Sequence, residues 1–140
     1  LSGKAAMVAR HLRHGRSGEE MARAFLVGQG YEVISVNWRC RYGELDLVCR
    51  NQQIVVFVEV KTRNTSTLET PAEALTHRKQ SKLIKSASLF LSQHKMWHLQ
   101  SRFDLVSVFF QTHHCQVDHV PNAFSVSHPV GRSHTHWQPW

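Results

Sequence analysis

Apolar and polar positions along the chain repeat first with a helical period, then with a strand period, then with a helical period again. Ser17 is placed to cap a helix, with Glu20 completing a capping box at the third helical position. Ala22, Phe25 and Leu26 give that helix an apolar stripe, and the glycines at 28 and 30 end it. Residues 31–37 (YEVISVN) alternate as a half-buried strand. Residues 44–49 (ELDLVC) and 54–60 (IVVFVEV) read as two more strands, joined by a turn at Asn51, Gln52 and Gln53. A polar loop follows over 64–70. Thr70, Pro71, Ala72 and Glu73 can open a short helix, and Thr76 can cap a longer one reaching about His94. Leu83, Ile84, Ala87, Phe90 and Leu91 fall on one face of that helix. Residues 102–110 (RFDLVSVFF) form a strand, and 116–120 a candidate final one. The order helix, three strands, helix, one or two strands predicts a single α/β domain over 17–125. Residues 1–16 form a basic arm of irregular pattern, and 126–140 form a histidine-containing tail without periodicity, expected to be flexible.

Charge narrows the picture. The 140 residues carry a formal +7, before any contribution from eleven histidines, which favours a polyanion such as nucleic acid as partner. No apolar run approaches the ~20 residues of a membrane span, so no membrane partner is expected. Cys40, Cys49 and Cys115 are odd in number and contain no Cys-x-x-Cys pair, as suits a reducing cytoplasm.

The strand at 54–60 poses the chemical question. Glu59 lies inside its apolar run and Lys61 follows at i+2, so both side chains share one face. If the hairpin turns about Gln52 and Gln53, Asp46 faces Glu59, Glu44 faces Lys61 and Val48 faces Phe57. Any even loop keeps the two carboxylates on one face, whereas an odd one separates them. Like charges across a strand pair are unfavourable, so the pair asks for a cation. A hard divalent ion such as Mg²⁺, or Mn²⁺, takes carboxylate oxygens together with water and phosphate. Lys61 could then act on an attacking water. The competing reading is a half-exposed hairpin with a Glu44–Lys61 pair and Asp46 in solvent.

Two further polar residues head apolar stripes. Glu19 shares a helical face with Ala22 and Leu26 and points at the sheet, or serves only as a favourable charge at a helix start. Gln80 shares a face with Leu83, Ile84 and Ala87. It could reach a phosphate, or satisfy a loop backbone. Trp38, Arg39, Cys40, Arg41 and Tyr42 interleave aromatics with arginines in what reads as a loop before the Asp46 strand, suited to gripping phosphates and stacking on bases. Arg63, Arg78, Lys79, Lys82 and Lys85 would widen a positive surface, unless they are simply a solvated face. His113, His114, Cys115 and His119 match no common structural zinc spacing. Arg102 and Asp104 read as a local ion pair.

Taken together, Glu19, Asp46 and the run Glu59, Val60, Lys61 resemble the PD-(D/E)XK nuclease superfamily. More closely, GEEMARAFL, NWRCRYGELDLV, VFVEVKTR, a helix containing RKQ, and RFDLVSV resemble the small bacterial YraN-like family, related to Holliday-junction resolvases. The similarity runs from about Arg16 to Phe124. It implies a restriction-endonuclease-like αβββαβ core with a mixed central sheet flanked by helices. It also implies Mg²⁺ held by Asp46, Glu59 and the Val60 carbonyl, with Glu19 joining directly or through water. Lys61 would act on the nucleophilic water or the scissile phosphate, and Gln80 matches a helix glutamine of some branches. The implied activity is a Mg²⁺-dependent endonuclease acting on DNA, branched or junction DNA among its substrates. The implied assembly is a homodimer. Candidate nucleic-acid contacts are Arg16, Trp38, Arg39, Arg41, Arg63, Lys79 and Lys82. One position departs from the superfamily pattern: Leu45 stands where proline precedes the aspartate. The second reading keeps the fold as a binding or scaffolding protein without cleavage.

Overall fold

In the computed structural model, residues 3–7, 17–63 and 70–126 are described. Chain order runs β1 (Gly3–Met7), α1 (Gly18–Gly28), β2 (Glu32–Cys40), β3 (Gly43–Asn51), β4 (Ile54–Arg63), α2 (Pro71–Ala74), α3 (His77–Gln93), β5 (Gln100–Phe110) and β6 (Cys115–Val120). The stretch from α1 through β5 follows the expected αβββαβ order, with the short α2 ahead of α3. The strands form one mixed sheet in the order β1-β6-β5-β4-β3-β2, flanked by helices, consistent with a restriction-endonuclease-like core. All neighbours are antiparallel except β4 and β5, which run parallel because the chain crosses over through α2 and α3 between them.

The central strands are apolar on both faces because both faces are covered. Met21, Ala22, Phe25 and Leu26 of α1 pack on Leu47, Cys49, Val56, Val58, Val106 and Val108. On the other face Leu83, Ala87, Phe90 and Leu91 of α3 pack on Val48, Val55, Phe57, Phe103 and Leu105. Each helix starts as its sequence demands. Ser17 and Glu20 form the reciprocal capping box of α1, Thr70 and Glu73 that of α2, and the Thr76 hydroxyl accepts from the Lys79 N–H at the start of α3.

Two elements differ from expectation. β2 runs on through Trp38, Arg39 and Cys40, which the sequence suggested as a loop. The Trp38 ring meets Phe90 edge-on at 5.3 Å, so its surface goes into packing. A strand not expected from the sequence occupies Gly3–Met7 and adds to the β6 edge. Arg16, the remainder of the basic arm, the loop at 64–69 and residues 127–140 of the tail lie outside the described residues.

Candidate active site

The hairpin register sets the site. β3 and β4 pair with Val48 opposite Phe57 and Leu47 opposite Val58, leaving Gln52 and Gln53 as the turn. An even loop therefore carries the register that brings Asp46 beside Glu59. At Asp46 the strand itself changes face, since Leu45 belongs to the α3-side core and Leu47 to the α1-side core. On the neighbouring strand Asn37 adopts a left-handed φ of 53°. The change of face turns Asp46 into the seam between β3 and β4. Its Oδ2 accepts the Val60 N–H at 2.8 Å, and its carboxyl lies near enough to that of Glu59 for each to shift the other's pKa.

Two neighbouring half-buried carboxyls cannot both stay charged at little cost. Burial lifts the Asp46 pKa first. The Val60 N–H pulls it back, and the Glu19 and Glu44 charges lift it again, to about 6. For Glu59, burial and then the Asp46 charge raise the pKa, while Lys79 and Lys61 oppose them, leaving it at about 7. Near neutral pH the pair shares one proton and seeks a cation to replace it.

The remaining predicted residues lie around this pair. Glu19, half-buried in the first turn of α1, acts on Asp46 through its charge. The start of α1 is held close to β4, because Gly18 packs directly on Thr62 with no room for a Cβ. Lys61 stands on the same strand face as Glu59, half-buried and near enough to lower its pKa. Lys79, at the start of α3, does the same and hydrogen-bonds the Ala74 carbonyl at 3.5 Å. Gln80 donates its amide to the Leu75 carbonyl at 2.8 Å and so closes the α2–α3 turn. Glu44 pairs with Arg39 at 3.3 Å on the surface. Arg63 ends β4 beyond Lys61, and Arg41 and Lys82 are exposed.

Among the described residues no three His, Cys, Asp or Glu side chains are grouped tightly enough to hold a metal ion by themselves. The donors brought together are the two hard carboxylates. In an extended strand a residue's N–H and C=O face the same neighbour, so the Val60 carbonyl turns to the strand that carries Asp46.

Two features go beyond what the sequence showed of them. Tyr42, in the turn after β2, is flanked by the Arg41 guanidinium at 4.8 Å and the Lys85 ammonium at 5.9 Å from its ring centre. It lines a cavity of about 810 Å³ along α3. It is the last residue of the aromatic and basic alternation at 38–42. The second feature is a buried network. Asp104 accepts two bonds from Arg102 at 2.8 Å, one from the Asn122 N–H at 2.9 Å, and meets His119 Nε2 at 2.7 Å. Arg102 in turn donates to the Tyr31 hydroxyl at 2.8 Å. Burial alone would raise Asp104, yet these hydrogen bonds hold it below its ordinary value. The Arg102–Asp104 pair expected from sequence is thus part of a structural tie between β5, β6 and the turn after α1. All three cysteines are free, with Cys49 and Cys115 buried. Among the described residues no helix is long and apolar enough to cross a membrane.

The sequence model of the uncharacterised protein family UPF0102 matches residues 18–108, from the first residue of α1 into β5. A UPF0102 protein of Nitratidesulfovibrio vulgaris (strain DP4) is 41% identical over 132 residues, covering 94% of this chain and 98% of the relative. One from Myxococcus xanthus (strain DK1622) is 40% identical over 116 residues, 83% of this chain and 92% of its own length. One from Nocardia farcinica is 46% identical over 111 residues, covering 79% and 87%.

Proposed function

This chain belongs to the uncharacterised protein family UPF0102, and from that premise and its site we propose that it is a metal-dependent nuclease that hydrolyses nucleic-acid phosphodiesters, DNA foremost. The single observation that carries the reading is that the hairpin register brings Asp46 beside Glu59, two half-buried carboxyls that raise each other's pKa. A carboxyl pair of this kind fits a hard divalent cation, with the Val60 carbonyl as a further oxygen donor. Mg²⁺ or Mn²⁺ would supply charge to stabilise the phosphoryl oxygens and lower the pKa of water.

The chain's own groups divide the remaining work. Asp46 is fixed by the Val60 N–H, so its second oxygen keeps a set direction. Lys61, on the Glu59 face, holds a positive charge where an attacking water or a phosphate oxygen would sit. Glu19 adds negative charge from the start of α1, which strengthens the demand for a cation. The +7 charge and the basic residues of α3 draw in a polyanion. Gln80 is occupied by Leu75 and serves as a positioning residue for the α2–α3 turn. Free thiols suit a reducing compartment such as the cytoplasm. A homodimer, with two sites for two strands, is the assembly that suits junction cleavage.

The test is cleavage of end-labelled linear, flapped and four-way-junction DNA with Mg²⁺, Mn²⁺ or EDTA. Cleavage that needs the divalent ion and is lost by at least about a hundredfold in Asp46→Asn and Lys61→Ala is expected. Retained DNA binding with no cleavage of any substrate overturns the reading in favour of a silent scaffold.

A further inference from the structure

The carboxylate pair leaves open how a substrate strand would run past it, and the flank of α3 beside its packed face bears on that. His77, Gln80, Ser81, Ile84, Lys85, Ser88, Leu89 and Ser92 recur at three- and four-residue spacing and line one side of the cavity. From His77 to Ser92 that stripe is about 22 Å long at the helical rise. Arg41 and Tyr42 of the β2–β3 turn and Ser125 and Val126 after β6 complete the cavity's lining. The lining is apolar at Ile84 and Leu89, the helix offers hydroxyls, and among the described residues no acidic side chain lines the cavity. The cavity reaches Gln80, whose neighbour in the chain, Lys79, acts on Glu59 through its charge.

We propose that this groove binds single-stranded nucleic acid, with a base stacked on Tyr42 and the adjoining phosphates held by Arg41 and Lys85. The inference rests on the nuclease reading for the class of polyanion and adds its form. An aromatic ring can stack only on a base free of duplex neighbours, as in a loop, flap or strand end. The pairing of one ring with two cations suits a base and its backbone together, and the serine row supplies hydroxyls to sugar and phosphate oxygens. A duplex presents phosphates alone to such a groove and leaves Tyr42 without a partner. The substrate therefore carries an unpaired segment next to the bond that is cut.

Fluorescence anisotropy tests this with labelled (dT) and (rU) strands and a duplex of about 12 nucleotides, within the usual span of single-strand sites. EDTA is present throughout, so binding is read without cleavage. In either sugar series the single strand is expected to bind about tenfold more tightly than the duplex, and Tyr42→Ala to remove most of that difference. Tyr42→Phe keeps the ring and is expected to keep the preference, which guards against a folding defect. Lys85→Ala, at an exposed position, weakens the single strand by about threefold. Equal binding of strand and duplex, or an unaltered preference in Tyr42→Ala, overturns the inference even if the protein cuts DNA. Conversely, a Tyr42-dependent preference for the single strand in a protein that cuts nothing upholds the groove and sinks the nuclease reading alone.

Discussion

Asp46 and Glu59 are held together against their mutual repulsion, and that repulsion is measurable. Both pKa values are raised in the fold, from 3.8 to about 6 and from 4.5 to about 7. Proton binding therefore favours the folded state. The stability it gives is fully present below the unfolded values near 4 and is lost as pH rises through the folded values. Without divalent ions, the pair's own contribution should fall by a few kcal/mol between about pH 4 and pH 8, while Asp104, whose pKa is lowered, contributes in the opposite direction as pH rises. Glu59→Gln removes one charge at nearly constant shape. Its melting temperature should exceed wild type by about 5 °C near pH 8, and the two should converge near pH 5. Parallel melting curves across that range would show that the pair is not under charge strain. This pair was legible in the sequence because strand alternation and an even turn fix which residues meet. Gln80 was legible only as a choice between two roles. Its partner, the Leu75 carbonyl, depends on how α2 ends, which no periodicity records.

At the scale of elements, the site exists because α1, β3, β4 and α3 converge where the hairpin opens. Caps and stripes announced both long helices, so α1 and α3 matched their expected bounds closely. The strands ran longer than their apolar patterns. β2 continues past Asn37, whose left-handed backbone breaks the alternation that a pattern relies on. β1 pairs with the far edge of the sheet, a contact no local signal reveals. The closest joint in the site is Gly18 on Thr62. A methyl group at Gly18 meets the Thr62 side chain, so Gly18→Ala should push α1 and Glu19 off β4. Urea unfolding is expected to show a loss of about 2 kcal/mol, partly restored when Thr62→Ala is added. Strictly additive effects of the two substitutions would mean that the helix start is not clamped there.

For the whole molecule, charge and motif order pointed one way while the buried network pointed nowhere in particular. Asp104 binds Arg102, His119 and the Asn122 N–H, and through Arg102 reaches Tyr31, residues far apart in the chain. Only the folded sheet brings them together, so the sequence showed just the Arg102–Asp104 step. The groove on α3 was hidden for a similar reason, since it needs the β2–β3 turn to bring Tyr42 over Lys85. Each of these features leaves the central claim to stand on the carboxylate pair: that Asp46 and Glu59 form a divalent-cation site. Calorimetric titration of the protein with Mn²⁺ tests it without any substrate. Binding is expected near pH 8, weakened about tenfold or more near pH 5 where protons hold the pair, and abolished in Asp46→Asn. No Mn²⁺ binding by the wild-type protein, or equal binding by Asp46→Asn, would contradict the account.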